Sequence, residues 1–529
     1  MSQATTREAG SGRAALMVSL GIVLSRLVGL VRQRVTAHYF GTSAVGDVIA
    51  ASFRIGNVAQ NLFGEGTLSS SFIPVYSRLR AEGRTEEARE LALASLGLLA
   101  LVIVVVSALG AALAPWVSLA VAAGFSGPER ALTAELVRVL FPMTGLLVLG
   151  AWALGVLNSH RDFFLSYAAP VAWSAAQIAA LVLAGSALGL RGGALAHVLA
   201  LGALVGALFQ LLFLMARARR YLGTLTPTLK RHLAPVREAA ARLPAALVGR
   251  GVVQLSGLVD TLLVSFLGAG ATASFAYAQM IYLLPMSVLG TGEAAAALPE
   301  MACDTAEADR NERARRIRAR LGASLTRTVT LAIPAVVVLC GFGEELVVVL
   351  LRTGAFDRDS TSRVAGALAV YGTALIGNAS GRLLATACFA LGDTRGPARC
   401  ATARIAASTG LSLLLMRPFG VPGVVAGAAV AAWLETGLLA ARLKTALGEL
   451  ELASLPVARW TALGVLTALP PSGACYVLAS RTHEPLIALT VLALAAAAFV
   501  AAALGLGLAS RRGIHGAMAP RPETGSRTD

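Results

Sequence analysis

Long apolar runs recur along the whole chain, and short polar stretches separate them. A transmembrane helix needs about 20 predominantly apolar residues, and about fourteen runs approach or exceed that length. They lie at 14–37, 45–74, 91–114, 132–157, 164–188, 193–216, 243–267, 272–298, 325–345, 363–390, 398–416, 421–442, 457–479 and 485–508. The pattern predicts an all-α polytopic membrane protein with about 14 transmembrane helices.

The longest polar connection lies between the sixth and seventh spans. Sets of six spans often form a repeat, with the substrate site between them near the membrane midplane. The predicted organisation is a cytoplasmic N-terminal arm (1–13), an N-lobe of spans one to six (14–216), a cytoplasmic linker (217–242), a C-lobe of spans seven to twelve (243–442), spans thirteen and fourteen (457–508) and a disordered cytoplasmic tail (509–529).

The net charge of +16 is concentrated in alternate connections between the spans. Cationic clusters follow spans two, six and eight, whereas residues 38–46 and 268–271 contain no lysine or arginine. This alternation follows the positive-inside rule, which places Lys and Arg in cytoplasmic loops. It predicts that both termini are cytoplasmic, and it argues against nucleic acid as a partner.

No constellation typical of an enzyme is found in the sequence. The chain has no GxxxxGK[ST] phosphate-binding loop, no paired histidine ligands and no Ser-His-Asp set in a plausible context. Its five cysteines, Cys303, Cys340, Cys388, Cys400 and Cys475, have no CxxC spacing and indicate neither a disulfide framework nor a metal site. The sequence therefore predicts a transporter without catalytic activity.

The first apolar run carries two arginines, Arg26 and Arg32. A cationic side chain at mid-bilayer costs roughly 2.5 to 3.5 kcal/mol, so such residues usually face a cavity, a partner or a ligand. Arg32 lies on the same helical side as the small residues Gly21, Ser25 and Gly29, and Arg26 lies a third of a turn away. About 9 Å of helix rise separates the arginines, which suits two phosphates of one anionic group. The alternative is that Arg32 extends to the outer interface.

The second run carries a polar face if it forms one continuous helix. Five polar residues then lie within about 40 degrees of a common face: Asp47, Arg54, Asn61, Glu65 and Ser69. Such a face predicts a hydrated pathway with charges that pair with one another and with the arginines of span one. The alternative is a purely structural pair between Asp47 and Arg54. Gly64 and Gly66 flank Glu65 and predict a bend there.

Several motifs in and beyond these spans have a characteristic spacing. They are Ser25–Arg32, Phe40–Gly41, Asp47, Phe53–Ile55, Phe63–Gly66 through Phe72–Pro74, Leu284–Pro285 with Val288–Gly290, and Phe389–Arg395 with Pro397. Together they resemble the MurJ (MviN) family of lipid II flippases over nearly the whole chain.

The resemblance implies the architecture of the multidrug/oligosaccharidyl-lipid/polysaccharide exporter superfamily. Two six-helix lobes surround a central cationic cavity, and two C-terminal helices form a lipid-tail groove. The implied activity moves lipid II, the undecaprenyl-pyrophosphate-linked peptidoglycan precursor, from the inner to the outer leaflet of the bacterial cytoplasmic (inner) membrane by alternating access. Implied partners are lipid II or a similar polyprenyl-pyrophosphate glycolipid, membrane lipids and cell-wall synthesis proteins. No cofactor is implied, and coupling is to sodium, a proton or the membrane potential.

The family's functional residues are carried over position by position. Arg26 and Arg32 match two of its essential cavity arginines, and Asp47 and Glu65 match acidic residues of its second helix. Gln33 stands where the family commonly has an acid after the second arginine.

Two places in the chain depart from the family pattern by losing cations. Gln60 and Asn61 stand where the family commonly has two arginines after Asn57, and Gln279 and Met280 replace its usual Asp-Arg pair. Replacement charge is available from Arg250, Arg382 or Arg404. The predicted substrate-binding set is Arg26, Arg32, Arg54, Asp47, Glu65, Asn57, Asn61 and Arg382.

Asp260 matches an acid that contributes to sodium binding in some family members. A lone carboxylate within a span suggests an ion or proton role, and the aligned positions in span eleven are Ser408 and Ser412. The alternative is that Asp260 pairs with Arg250 or another interior arginine.

Two other functions compete with lipid II transport. One is export of a different lipid-linked oligosaccharide or of a drug, which the missing cations at Gln60 and Met280 leave open. The other is a transport-silent membrane scaffold for cell-wall enzymes. Mutation of Arg26 or Arg32 separates the scaffold from both transporters.

Overall fold

The computed structural model of the protein describes residues 21, 24–162, 168–287, 310–448 and 490, and the regular structure in these residues is helical. The helices are α1 (24–40), α2 (Ala44–Phe63), α3 (Glu65–Ala81), α4 (Thr85–Ala112), α5 (Ala114–Val121), α6 (Gly127–Ser159), α7 (Pro170–Val182, continued by a π turn at Leu183–Ala187), α8 (Gly192–Leu222), α9 (Ala234–Ser265), α10 (Ala271–Met286), α11 (Arg310–Gly341), α12 (Gly343–Leu351), α13 (Arg358–Ala390) and α14 (Arg395–Leu447).

Long apolar helices confirm the predicted all-α, multi-pass membrane class. Within the described residues, seven helices are long and apolar enough to cross a membrane: α4, α6, α7 with its π turn, α8, α11 from Ala314, α13 and α14. The last of these merges two predicted spans across a kink at Gly420, which has a φ of 62°. Most of spans thirteen and fourteen, part of span one and the tail at 509–529 lie outside the described residues, so the total of fourteen stays a prediction.

The second predicted span is two helices and not one. Gly64 separates α2 from α3 with φ −91° and ψ −139°, which is not helical. A Cβ at Gly64 would overlap the Gln60 carbonyl oxygen, so this close turn requires glycine. The predicted bend is confirmed, and the single uninterrupted polar face from Asp47 to Ser69 is wrong.

Two predicted connections are more helical than the sequence pattern indicated. The linker predicted at 217–242 is non-helical only at 223–233, because α8 ends at Leu222 and α9 begins at Ala234. The arginine cluster after span eight, from Arg310 to Arg320, belongs to α11. Arginine has a high helix propensity, so a cationic loop and a cationic helix extension are not distinguished by charge alone.

A short helix follows a long helix twice along the chain. The order α4, α5, α6 has lengths of 28, 8 and 33 residues. The order α11, α12, α13 has lengths of 32, 9 and 33 residues. This recurrence supports the predicted repeat, although neither short helix was predicted from the sequence.

The described residues form two compact units. The first unit contains the described residues up to Met280 together with Leu350–Ala367 and Thr402–Ala431. The second unit contains the other described residues. The core of the first unit includes the fully buried Trp152. In the second unit, α11, α13 and α14 pack through a cluster that includes Leu383. The predicted lobe boundaries at 14–216 and 243–442 remain a prediction.

An aromatic and charged cluster fixes the end of the first unit that is predicted to be cytoplasmic. His160, in the turn after α6, accepts or donates a 3.0 Å hydrogen bond with the Tyr76 hydroxyl and stacks on Tyr221 with a centroid distance of 4.1 Å. Arg217 forms a 2.5 Å ion pair with Asp162 in the same turn. Burial, and secondarily the positive charge of Arg80, lower the pKa of His160 to about 4.

Acidification is expected to destabilise this cluster. Because the pKa of folded His160 lies below its ordinary value of 6.5, its neutral form stabilises the fold above that pH, and the contribution is lost as the pH falls towards 4. The thermal unfolding midpoint should therefore fall less between neutral and acidic pH in His160→Phe than in the wild type. His232→Phe, at an exposed site, should behave as the wild type does. An equal fall of the unfolding midpoint in all three proteins would contradict the contribution of neutral His160 to stability.

Candidate functional site

Arg32 is held against a neighbouring helix of the first unit. Its guanidinium carbon lies 4.6 Å from the centre of the Trp173 ring, and its Nη1 donates to the Gln177 side-chain oxygen at 3.4 Å. The buried Nε of Arg32 has no hydrogen-bond partner among the described residues. Arg32 therefore packs on α7 instead of extending freely to the interface.

Arg26 has a different environment from Arg32. Its side chain is exposed on α1, beside the exposed Leu27 and Val31. About 9 Å of helix rise separates the two arginines. One cation is therefore pre-organised by protein contacts, and the other is accessible.

Asp47 is buried and caps a helix distant in sequence. Its side chain is 2% exposed. Its Oδ2 accepts from the Gly270 N–H at 2.5 Å, and its Oδ1 accepts from the Ala273 N–H at 2.6 Å. These donors belong to the start of α10, where backbone N–H groups lack partners within the helix and a negative charge is favoured. The structure therefore places Asp47 in a buried helix cap, and its predicted role in a substrate pathway stays a prediction.

Further contacts surround this cap at the end of the first unit that is predicted to face outside. We call residues 38–47, 265–273 and 353–363 the outer junction. The Ala355 N–H donates to the His38 carbonyl oxygen at 2.8 Å, and the Thr42 and Ser360 hydroxyls hydrogen bond at 2.7 Å. Because backbone groups and buried polar atoms make these bonds, opening the junction would leave several of them without partners.

Glycine permits the closest approaches in the outer junction. Gly270 has a φ of +86°, and a Cβ there would overlap the Thr42 carbonyl oxygen. Gly41 has a φ of +52°, and a Cβ there would overlap the Ala355 carbonyl oxygen. Both positions favour glycine through backbone conformation as well as through space.

Arg54 lies against α9 and α10 in the first unit. Its Nη1 donates to the Gln279 side-chain oxygen at 3.0 Å. Its guanidinium fills the space that a side chain at Gly257 would need, with Cζ 2.8 Å from an ideal Cβ at that position. The sequence placed Arg54 on a pathway but gave no indication of these partners.

Asp260 follows Gly257 by one turn of α9 and is partly buried. Arg54 fills the space beside Gly257 on the same helix. The predicted pairing of Asp260 with an interior arginine stays a prediction, and the side chain of Arg250 lies outside the described residues.

The serines aligned with a sodium site are buried in α14. Ser408 is 4% exposed, and the Ser412 hydroxyl donates to the Val424 carbonyl oxygen at 3.0 Å. Within the described ranges, no group of three or more His, Cys, Asp or Glu side chains could hold a metal ion.

The remaining predicted site residues are mostly exposed within their own units. Asn57 and Asn61 are exposed on α2, and Arg382 is exposed on α13 in the second unit. The side chain of Glu65 lies outside the described residues. The substrate-binding roles of all these residues stay predictions.

Comparison with known proteins decides the family. A family model described as lipid II flippase MurJ matches residues 36–497. The chain belongs to this family. A lipid II flippase MurJ of Burkholderia cenocepacia is 31% identical over 429 residues, 81% of this chain and 82% of that protein. A probable lipid II flippase MurJ of Rhizobium meliloti is 31% identical over 430 residues, 79% of this chain and 78% of that protein.

Solved structures share the fold of this MurJ family member. One described as "Lipid II flippase MurJ, inward closed conformation" matches with a TM-score of 0.74 and 20% identity, covering 92% of this chain and 98% of that one. An inward-facing multidrug resistance MATE family transporter of the MOP superfamily matches with a TM-score of 0.66 and 18% identity, covering 83% and 99%. The overall helical fold expected from the resemblance is thus confirmed, whereas the two six-helix lobes, the central cationic cavity and the lipid-tail groove stay predictions.

Sequence reasoning missed the residues that hold the charged groups of this MurJ family member. Trp173 and Gln177 hold the Arg32 guanidinium. Gly270 donates its N–H to Asp47. Glycine at position 257 leaves the space that the Arg54 guanidinium fills. Trp173 and Gln177 are four residues apart, which places them on one helical face. That spacing was the only available signal, and it does not identify Arg32 as the partner.

Proposed function

We propose that this chain moves lipid II, or a closely similar polyprenyl-pyrophosphate glycolipid, from the inner to the outer leaflet of a bacterial cytoplasmic membrane by alternating access. In this proposal both termini are cytoplasmic and the transported lipid supplies cell-wall synthesis. Membership of the lipid II flippase family supports the substrate class. The observation that carries the proposal is Arg32, a half-buried arginine in the first apolar run that is held by Trp173 and Gln177 and whose Nε has no hydrogen-bond partner among the described residues.

The chemistry of the proposed substrate matches this arrangement. A pyrophosphate presents several anionic oxygens, and the planar fork of arginine donates to such oxygens in pairs. Trp173 supports one face of the Arg32 guanidinium and Gln177 holds Nη1. These contacts lower the rotamer entropy lost when an anion binds. Arg26 supplies a second cation about 9 Å along the helix.

Transport to the outer leaflet requires the outer junction to open. The bonds of Asp47 to Gly270 and Ala273 are buried. At the opposite end, Arg78 and Glu238 form a 2.5 Å ion pair whose side chains are 48% and 33% exposed. Exposed ion pairs contribute little to stability, so we expect the cytoplasmic end to open more readily than the outer junction in the absence of substrate.

Replacement of the flippase in a conditional bacterial strain tests the proposal. Wild-type chain should restore growth and exposure of lipid II on the outer leaflet, and Arg26→Ala should restore neither at equal membrane expression. Arg138→Ala, at an exposed arginine of α6, should rescue as the wild type does.

The failing outcomes separate the alternatives. A well-expressed wild type that does not rescue indicates another lipid-linked oligosaccharide or a drug, which the neutral Gln60, Gln279 and Met280 favour. Rescue by charge-reversed variants at both Arg26 and Arg32 indicates a scaffold for cell-wall synthesis proteins.

A further inference from the structure

A cavity of about 360 Å³ lies in the second unit, at the end that is predicted to be cytoplasmic. Residues of α11, α13 and α14 and of the turn between α13 and α14 line it. Its apolar lining includes Leu391, Leu443 and Leu447, and its charged lining consists of Asp393 and Arg442. The cavity therefore offers both an apolar surface and charged groups, which suits an amphipathic ligand.

Asp393 fixes the position of the Arg442 guanidinium. Its Oδ2 accepts from the Arg442 Nε at 2.7 Å, and its Oδ1 accepts from the Gly396 N–H at 2.8 Å. A Cβ at Gly396 would overlap both charged side chains, so glycine leaves the space for this pair. Asp393 belongs to the Phe389–Arg395 motif of the sequence. That motif therefore builds part of the cavity lining.

The ion pair of Asp393 and Arg442 leaves donors for a ligand. It uses the Nε of Arg442, and the two terminal nitrogens of that guanidinium make no hydrogen bond to the residues that the structure describes. The side chains of Arg442 and Asp393 are 42% and 33% exposed, so a ligand can reach them. The planar fork of a guanidinium donates to two oxygens of one phosphate.

Arg318 supplies a second cation beside the cavity. Ala314 lines the cavity, and Arg318 lies four residues later, on the same face of α11. The Nη1 of Arg318 lies 3.4 Å from the place of a Cβ at Gly448, which directly follows the lining residue Leu447. The buried Nε of Arg318 has no hydrogen-bond partner within the described ranges. The guanidinium of α11 therefore meets the end of α14 without a bond at this nitrogen.

These groups favour a phosphate ligand. Two guanidinium groups and one carboxylate leave an excess of positive charge, which disfavours a cation and attracts an anion. Basic pockets between transmembrane helices on the cytoplasmic side bind phospholipid headgroups, and the cytoplasmic leaflet carries anionic lipids. The leucine side chains of the lining suit the apolar part of such a lipid.

We propose that this cavity binds the headgroup phosphate of an anionic glycerophospholipid of the cytoplasmic leaflet, with Arg318 and Arg442 as the binding cations and Asp393 as the positioning residue of Arg442. A lipid bound here joins the beginning of α11 to the end of α14. The proposal does not depend on which lipid is transported.

Native mass spectrometry of the purified full-length protein in detergent tests the site. The probes are dioctanoyl phosphatidylglycerol, dioctanoyl phosphatidylcholine and inorganic phosphate. The wild type should bind phosphatidylglycerol most tightly, and Arg442→Gln and Arg318→Gln should each weaken that binding roughly tenfold. Arg399→Gln, at an exposed arginine of the first turns of α14, should bind as the wild type does. Equal losses in all three variants would overturn the proposal, because they indicate unspecific surface attraction.

A variant without a charge change separates binding from stability. Ala314→Leu fills part of the cavity, so it should weaken phosphatidylglycerol binding and keep or raise the thermal unfolding midpoint measured without lipid. A lower midpoint of Arg318→Gln with unchanged phosphatidylglycerol binding would show that Arg318 only neutralises the end of α14, and it would overturn the proposal. Binding of inorganic phosphate alone, or equal binding of phosphatidylcholine, would overturn the lipid assignment. These measurements require no lipid II and remain informative if the proposed substrate is wrong.

Discussion

A chain in which Asp47 is replaced by alanine is expected to fail to support growth in the flippase-depleted strain and to unfold at a lower temperature. The substitution leaves the N–H groups of Gly270 and Ala273 without their acceptor. A buried donor without a partner costs about 1–3 kcal/mol, and here two are affected. The outer junction should lose its central contact, so the variant should not hold the pathway closed on that side.

A graded series makes the Asp47 prediction specific. Asp47→Asn keeps the size of the side chain but has one acceptor oxygen, so it can satisfy one of the two N–H groups. We expect its unfolding midpoint to lie between those of the wild type and Asp47→Ala. Asp359→Ala removes an exposed acid of the same junction from the first turn of α13; it should preserve growth and lower the midpoint less than Asp47→Ala does. A wild-type midpoint for Asp47→Ala would refute the capping role.

The second large effect is expected at Arg32. Its replacement by alanine removes hydrogen bonds to a charged group, each contributing about 1.5–3 kcal/mol, so affinity for a pyrophosphate lipid should fall roughly tenfold to a hundredfold. Arg32→Lys keeps the charge but loses the planar fork that stacks on Trp173. We therefore expect lysine to restore binding only in part.

Substitution of a residue that contacts Arg32 separates the effect of positioning its guanidinium from the effect of its charge. Gln177→Leu keeps the Arg32 cation but removes its 3.4 Å hydrogen bond, so it should weaken binding less than Arg32→Ala does. Titration of lipid II into purified variants by native mass spectrometry or fluorescence measures both effects. Arg138→Ala is the matched control. If Arg32→Ala binds lipid II as the wild type does, Arg32 has no part in substrate recognition.

The sequence by itself determined the membrane class and most helical segments of this protein. Runs of about 20 apolar residues can satisfy their backbone groups in a bilayer only as helices or closed barrels, so α4, α6 and α8 followed from hydrophobicity alone. The spaced motifs around Arg26, Arg32, Asp47 and Glu65 also identified the family, which comparison with known proteins confirmed.

Only the tertiary structure decided what each charged residue contacts. Asp47 is separated from Gly270 by 223 positions, and Arg54 is separated from Gln279 by 225. Helical periodicity shows which residues share a face, but it does not show which other helix meets that face. The break at Gly64 and the space at Gly257 likewise depend on close approach of groups. Packing therefore made Asp47 a helix cap and Gln279 a partner of Arg54, because buried polar groups must find partners wherever the fold brings them.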